Sequence, residues 1–445
     1  MPEKAVTRAL GRVGRLLRAP AQSPPPAPAA IDLHDPAVIA DPYPTYQRLR
    51  ETDPYYRDSD GTFLLTRYAD VTSLLTDPRL LASRPTTVDG RVPEEVGRSA
   101  HAVWSKFGET LLMTDPPDHG RVRGLMTPAF APRIIEGMRP RIQEVVDALL
   151  DAVAGRGRMD VVPDFAAPLP LKVICELVGV PPEGEALVKR CSDDLHLVLG
   201  VAAVAPGTSE LHLRGATSLR DLAAYIEQLV VQRTVETKPD LLGALVLLAE
   251  EDPDRISYGE LVANTILMLG AGHETTADII ATATLALLRN PDQLERLRAD
   301  PTLIESAVEE LLRYEAPVQL CGRRADARIE LDGATIERGD WVTFALGGAN
   351  RDPAAFADPD RLDLGRDGPR HLSFSHGMHY CLGAPLSRLE TEVALSSLLE
   401  RFDEIELATK EVRWRPNPGF RGVLSLPVRF SRGRPRARET SRARS

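Results

Sequence analysis

Cys381 sits in the run Phe374-Ser-His-Gly-Met-His-Tyr-Cys-Leu-Gly383, a loop with two glycines that leads into a helix-forming segment. The thiolate form of cysteine is the nucleophile and the metal ligand. Gly377 and Gly383 let the backbone turn sharply and approach a flat ligand closely. Leu386, Leu389 and Val393 follow at the spacing of one helix face. Cys381 therefore falls at a helix N-terminus, whose dipole and unpaired N–H groups favour thiolate, and a metal would complete the deprotonation. From these residues alone three readings stand open. They are an inert buried thiol, a thiolate ligand, and a zinc site shared with His376 and His379. Zinc wants three or four protein ligands, and no second Cys/His pair lies nearby in the sequence.

A second group is Ala271-Gly-His-Glu-Thr-Thr276, embedded in an apolar stretch. A carboxylate and two hydroxyls in such a setting are costly unless they have partners or a task. Ala271 and Gly272 leave room for a ligand against the backbone, and glycine with a back-bonding threonine can open or kink a helix. The bland alternative has Thr275 bonding the carbonyl one turn back while Glu274 reaches a distant arginine. Glu310-Leu-Leu-Arg313 sets a carboxylate and a guanidinium on one helix face. If exposed, such a pair is worth roughly a few tenths of a kcal/mol. His119 and Arg123 share a helix face at i,i+4 spacing. Arg323, with Arg324 adjacent, is a further candidate cation.

Helical spacing marks residues 42–52, 69–75, 141–154, 168–178 and 219–237, with a short strand at 62–66. Residues 82–113 read as irregular, broken by Pro85, Gly90, Pro93 and Gly108, and small residues make 198–208 a loop and candidate lid. Ser257-x-x-Glu260 is a capping box that opens the longest helix, and Asn290-Pro291 stops it. Its ~32 residues would span ~48 Å. Residues 266–276 are apolar on nearly every face, so that helix is buried. Thr302-x-x-Glu305 reads as a second capping box, for a helix that ends before Pro317. Turns at Asp332-Gly333 and Arg338-Gly339 divide residues 329–346 into a small antiparallel meander.

The chain has 445 residues, with no linker or internal repeat between about 31 and 430, which implies one large, mostly helical domain. Four scattered cysteines form no disulfide framework and point to a reducing compartment, the cytoplasm. Residues 1–30 carry +4 and residues 431–445 carry +5; with −10 overall, the middle carries −19. So acidic a body argues against nucleic acid as a partner. Val6, Leu10, Val13 and Leu17 form a weak apolar stripe among arginines, as in a membrane-surface helix. Gly11 and Gly14 oppose it. Residues 19–30 are a Pro/Ala linker, and disorder is the simpler reading of both ends. No apolar run approaches the ~20 residues of a membrane span.

Phe374-x-x-Gly377-x-His379-x-Cys381-x-Gly383, preceded in order by Glu274-Thr275 and by Glu310-x-x-Arg313, resembles the cytochrome P450 family in its soluble bacterial form. The resemblance covers about residues 31–430; Ser375 stands where the family most often has glycine. It implies a mainly α fold with small antiparallel β-sheets, and haem b buried between the long central helix and the Cys381 loop. It assigns the iron to Cys381, the loop's shape to Phe374, Gly377, His379 and Gly383, and the haem's other face to Ala271 and Gly272. His119, Arg123, Arg323 and His379 would clamp the propionates. Thr275 would hydrogen-bond dioxygen, and Glu274 would supply protons. Glu310 and Arg313, completed by Arg361 of Asp358-Pro-Asp-Arg-Leu362, would brace the fold. Substrate walls would come from residues 82–113 and 190–215, from Leu267 to Thr275, and from Val318, Gln319, Leu320 and Phe420.

The implied activity is a monooxygenase that puts one atom of O2 into an apolar or amphipathic substrate, as in secondary metabolism. No flavin or nicotinamide motif is present, so NAD(P)H electrons would arrive through a separate reductase and a ferredoxin-type donor; a monomer is expected. A peroxide-driven peroxygenase and a non-enzymatic haem sensor or carrier are the alternatives, the first opposed by Glu274-Thr275.

Overall fold

The structure is a computed structural model that describes residues 31–82, 97–202, 209–236, 238–252 and 254–432. The stripe through Val6 and Leu17, the Pro/Ala linker, the arginine-rich tail from 433, and residues 83–96 and 203–208 of the expected loops lie outside the described residues.

Helices predominate. Those that position the site are α1 (Asp118–Met126), α2 (Arg139–Ala154), α3 (Pro168–Val178), α4 (Glu185–Ala202), α5 (Ser209–Val235), α6 (Tyr258–Ala271), α7 (Glu274–Arg289), α8 (Ile304–Tyr314) and α9 (Ala384–Arg401). Ser257 caps α6 with both halves of its capping box, taking the Glu260 N–H on its hydroxyl and giving its own N–H to the Glu260 carboxylate. The helix expected to run unbroken to Asn290 is two helices, parted at Gly272 and His273. Thr275 Oγ1 donates across the break to Ala271 O at 3.2 Å, the back-bond that opens a helix. Glycine at 272 is required by packing. A Cβ there would lie 2.5 Å from Met268 O and 2.7 Å from the side chain of Ile174 on α3.

Two segments expected to be irregular are helical. Arg98–Phe107 forms a helix whose Trp104 and Phe107 are buried, because the strong breakers Pro93 and Gly108 lie outside it. Residues 198–202 continue α4. Gly200 there serves close packing: a Cβ on it would fall 1.9 Å from Asn417 Oδ1. The second capping box also fails to form. Asp300, not Thr302, accepts the backbone N–H, and a short 3-10 turn (Pro301–Leu303) precedes α8.

The largest sheet contains β1 (Tyr55–Arg57), β2 (Phe63–Leu65), β3 (Leu80–Leu81), β4 (Leu320–Ala325) and β5 (Trp341–Ala345) in the order β1-β2-β5-β4-β3. Its pairs are antiparallel except β2 with β5, which run parallel. Of the expected meander, Ile329–Leu331 and Ala334–Ile336 form an isolated hairpin, while β5 joins the larger sheet. Residues 158–160, 402–407 and 427–432 make a three-stranded antiparallel sheet.

Candidate active site

The Cys381 loop is shaped by two left-handed residues. Gly377 has φ 74°, and a Cβ on it would stand 2.9 Å from Leu75 O, so glycine is needed twice over. Ser375 has φ 62°, which explains why the family's motif carries glycine there. Gly383 has an ordinary φ of −80°, and the nearest atom to a Cβ on it would be Cys381 Sγ at 4.0 Å, so no sharp turn rests on it. The Cys381 N–H donates to Phe374 O at 2.9 Å and closes the loop. Burial pushes the Cys381 thiol up, outweighing the Gly383 and Ala384 N–H groups and the cations Arg123 and Arg388. The helix end alone therefore does not make a thiolate, and ionisation falls to a bound metal. Among the described residues no three His, Cys, Asp or Glu side chains converge as ligands. A metal on Cys381 must bring most of its coordination with it, as haem iron does.

His119 and Arg123 project from α1, Arg323 from β4, and His379 from the loop, and they form one cluster. The His119 and His379 ring centroids are 4.3 Å apart. Burial, then His379 and Arg123, push His119 down to about 4. His379 is lowered chiefly by burial, with Asp115 opposing. Both Nε2 atoms are buried without a hydrogen-bond partner, and Asp115 Oδ1 stands 3.9 Å from that of His379. A cluster of two guanidiniums and two neutral imidazoles with orphaned ring nitrogens is a fit for the two carboxylates of haem. Arg123 Nη2 also donates to Tyr380 O at 2.7 Å, which ties the cluster to the residue before Cys381. Arg324 points outward, 3.8 Å from Asp326, so Arg323 is the inward member of the pair.

Leu267, Ala271 and Thr275 lie four apart across the break and, with Gly270 and Gly272, are the less covered positions of an otherwise buried stretch. This open face suits a ligand held against α6 and α7. Gly272 does not belong to it, being turned to α3. Thr276 donates to Ser387 Oγ of α9 at 3.1 Å and so moors the break to the Cys381 helix.

Glu274 is 1% exposed and surrounded by charge. Its carboxylate lies 3.0 Å from Lys189 Nζ, 3.1 Å from Arg415 Nη1 and 3.3 Å from His273 Nε2. Burial raises it, but its neighbours His273 and Asp193 and the cation Arg415 win, and Glu274 is held far below the usual carboxylate range. Asp193 accepts from Lys189, which also bonds Glu274, and burial and Glu274 push it up to about 6. Arg415 Nη2 also reaches Asp278 at 3.2 Å, and His196 Nε2 lies 3.6 Å from the same carboxylate. The bland alternative is what the structure shows, with Thr275 bonding the carbonyl one turn back and Glu274 reaching a distant arginine, Arg415. Lys189, Asp193, His196 and Asp278 were not foreseen, nor was which arginine it would be. The i,i+4 charges Lys189 and Asp193 on α4 were the available signal; Arg415 comes from a distant loop with none.

Glu310 and Arg313 are both buried, joined by Nε–Oε2 at 2.7 Å and Nη2–Oε1 at 2.8 Å. The third member differs from expectation. Arg361 is exposed, pairs with Asp363, and offers Arg313 only its carbonyl. Arg366 takes the place, its Nε donating to both Glu310 oxygens at 3.0 and 3.2 Å. The loop must reach the buried carboxylate, and at 366 the side chain is only 10% exposed. Among the expected substrate residues, Val318 pairs with Phe420 in a β-bridge and Leu320 opens β4. Phe420 stacks on His196 at 3.9 Å. Gln319 turns the other way, bonding Ala316 O and packing on Gly347 and Tyr43.

Residues 208–431 match the family model described as Cytochrome P450. The cytochrome P450 monooxygenase PikC of Streptomyces venezuelae is 40% identical over 410 residues, 90% of this chain and 94% of that protein. The 6-deoxyerythronolide B hydroxylase of Saccharopolyspora erythraea is 38% identical over 90% of this chain and 98% of its own length. The crystal structure of P450BioI in complex with an acyl carrier protein ligated by hexadec-9Z-enoic acid superposes with a TM-score of 0.81 at 35% identity, covering 89% of this chain and all of that one. Fold and likeness together define a haem-thiolate monooxygenase, an oxidoreductase that uses O2. The chain belongs to the cytochrome P450 family. Among the described residues no helix is long and apolar enough to cross a membrane.

Proposed function

We propose that Cys381 is the thiolate ligand of haem b, that His119, Arg123, Arg323 and His379 hold its propionates, and that Asp193, Glu274 and Thr275 form the proton route. When bound, the haem supplies oxygen activation from O2 and electrons. The chain's own residues exclude water, seat the substrate on the Leu267–Ala271–Thr275 face and meter protons. The observation that carries the route is Lys189, whose ammonium bonds both Glu274 and Asp193. Asp193 is the member with solvent access, its side chain 39% exposed against 2% for Glu274. Lys189 and Arg415 hold Glu274 as an anion, so passing a proton to Thr275 requires one of those ion pairs to loosen.

The substrate is apolar or amphipathic, because Leu267, Ala271, Val318, Leu320 and Phe420 carry no charge. The 6-deoxyerythronolide B hydroxylase and the complex with an acyl carrier protein ligated by hexadec-9Z-enoic acid, among the similar proteins, support that class. Electrons come from NAD(P)H through a separate reductase and a ferredoxin-type donor, and the working unit is a monomer.

The test measures NADPH oxidation, hydrogen peroxide and hydroxylated product together, with surrogate redox partners and a substrate found by its spin-state shift. Thr275→Ala keeps NADPH oxidation but diverts most of it to peroxide. Glu274→Gln slows turnover by about 10²-fold, the lower end of what a positioned acid contributes. Unchanged coupling in Thr275→Ala would sink the route.

A further inference from the structure

Arg388 lies about one turn into α9, the helix that follows Cys381, and its side chain folds back toward the helix start. Its Nη1 donates to the Tyr380 hydroxyl at 3.2 Å, and its guanidinium sits 4.6 Å above the centre of the Phe374 ring. Tyr380 immediately precedes Cys381, and Phe374 accepts the Cys381 N–H. Arg388 thus touches both ends of the Phe374–Tyr380 stretch that leads into the cysteine. From the other side Glu309 of α8 grips the same guanidinium with both oxygens, Nη2–Oε2 being 3.1 Å. His371 Nε2 stands 3.3 Å from that second oxygen.

The pair is asymmetric. The Arg388 side chain is 28% exposed and that of Glu309 45%, so the cation lies deeper than its anion. Arg388 accordingly lowers the Cys381 thiol. Burial raises Glu309, but His371 and Arg388 hold it down at about 2, so it keeps its charge at neutral pH.

We propose that Arg388 is a positioning residue that sets the reduction potential of the iron held by Cys381, with Glu309 and His371 fixing its place and partly screening its charge. This rests on Cys381 being the thiolate ligand. Reduction of ferric to ferrous haem adds one electron and no atom to the site, and a nearby cation stabilises the more negative state while an anion opposes it. Glue between α8 and α9 would not produce shifts of opposite sign.

The test is a mediator-equilibrated redox titration of the substrate-free holoenzyme, with no protein redox partner, in Arg388→Gln, Arg388→Lys and Glu309→Gln. The ferrous–carbon monoxide spectrum is recorded for each. Arg388→Gln lowers the potential by an amount on the order of tenfold in the ferric/ferrous equilibrium, about 59 mV for one electron. Glu309→Gln raises it, and Arg388→Lys, which keeps the charge, stays near the parent. Potentials that do not move, that move together in Arg388→Gln and Glu309→Gln, or that fall equally in Arg388→Lys overturn the proposal. If Arg388→Gln loads no haem, the rise in Glu309→Gln and the retained value in Arg388→Lys decide it. Absence of the thiolate carbon monoxide spectrum in the parent protein would instead overturn the Cys381 assignment.

Discussion

Ser375 and Glu390 are two residues whose cost the structure locates. A left-handed φ costs a residue with a Cβ roughly 1–2 kcal/mol, of which the greater freedom of an unfolded glycine returns about half. Ser375, at φ 62°, has no compensating bond through its buried hydroxyl. Ser375→Gly should therefore stabilise the holoprotein by about 1 kcal/mol in urea unfolding. Glu390, on α9, is fully buried, and neither carboxylate oxygen has a hydrogen-bond partner. Burial alone raises it well above its ordinary 4.5. The sign follows from linkage: above pH 4.5 the unfolded chain has released a proton that the folded chain keeps, so stability falls as pH rises through that window. Glu390→Gln removes this penalty, and its advantage over the parent should be small near pH 4 and larger at pH 8. An advantage that shrinks with pH would show that Glu390 has a partner that holds it ionised.

At the level of elements, the brace behind the haem depends on which arginine reaches Glu310. Breaking a buried ion pair by removing one partner costs about 3–5 kcal/mol, since the remaining charge is left uncompensated. Glu310→Gln leaves Arg313 and Arg366 in that state and should lower stability by that order. Arg361→Ala, at an exposed position, should change it by less than about 0.5 kcal/mol. Arg366→Ala, which leaves Glu310 held by Arg313, should fall between the two values, and equal effects at 361 and 366 would contradict the assignment. The motif order gave Glu310 and Arg313 because both lie on one helix. It could not choose between Arg361 and Arg366, since the choice depends on how the loop from Asp358 folds over α8. The break at Gly272 was legible as a possible opening, from a glycine beside a back-bonding threonine. Its packing cause, Ile174, was not, because α3 lies far away in sequence. Residues 198–202 misled for the same reason: small side chains mark either a loop or a close contact, and only the approach of Asn417 and Gly419 decides for the contact.

Across the whole molecule, segments far apart in sequence converge on the site. Helix α1 and strand β4 carry the cations, α4 and the loop at Arg415 hold Glu274, and Thr276 ties the helix break to α9, the helix that follows Cys381. The cluster of His119, Arg123, Arg323 and His379 was legible because its side-chain types and the i,i+4 spacing of the first two stand in the sequence. The partners that hold Glu274 were not, because long-range ion pairs leave no local pattern. The central claim is that Cys381 carries the iron, and its most direct measurement is the Soret band of the ferrous–carbon monoxide complex. Cys381→Ser should lose the red-shifted thiolate band, while Cys321→Ser, at a partly buried position on β4, should keep it. A preserved band in Cys381→Ser would contradict the account.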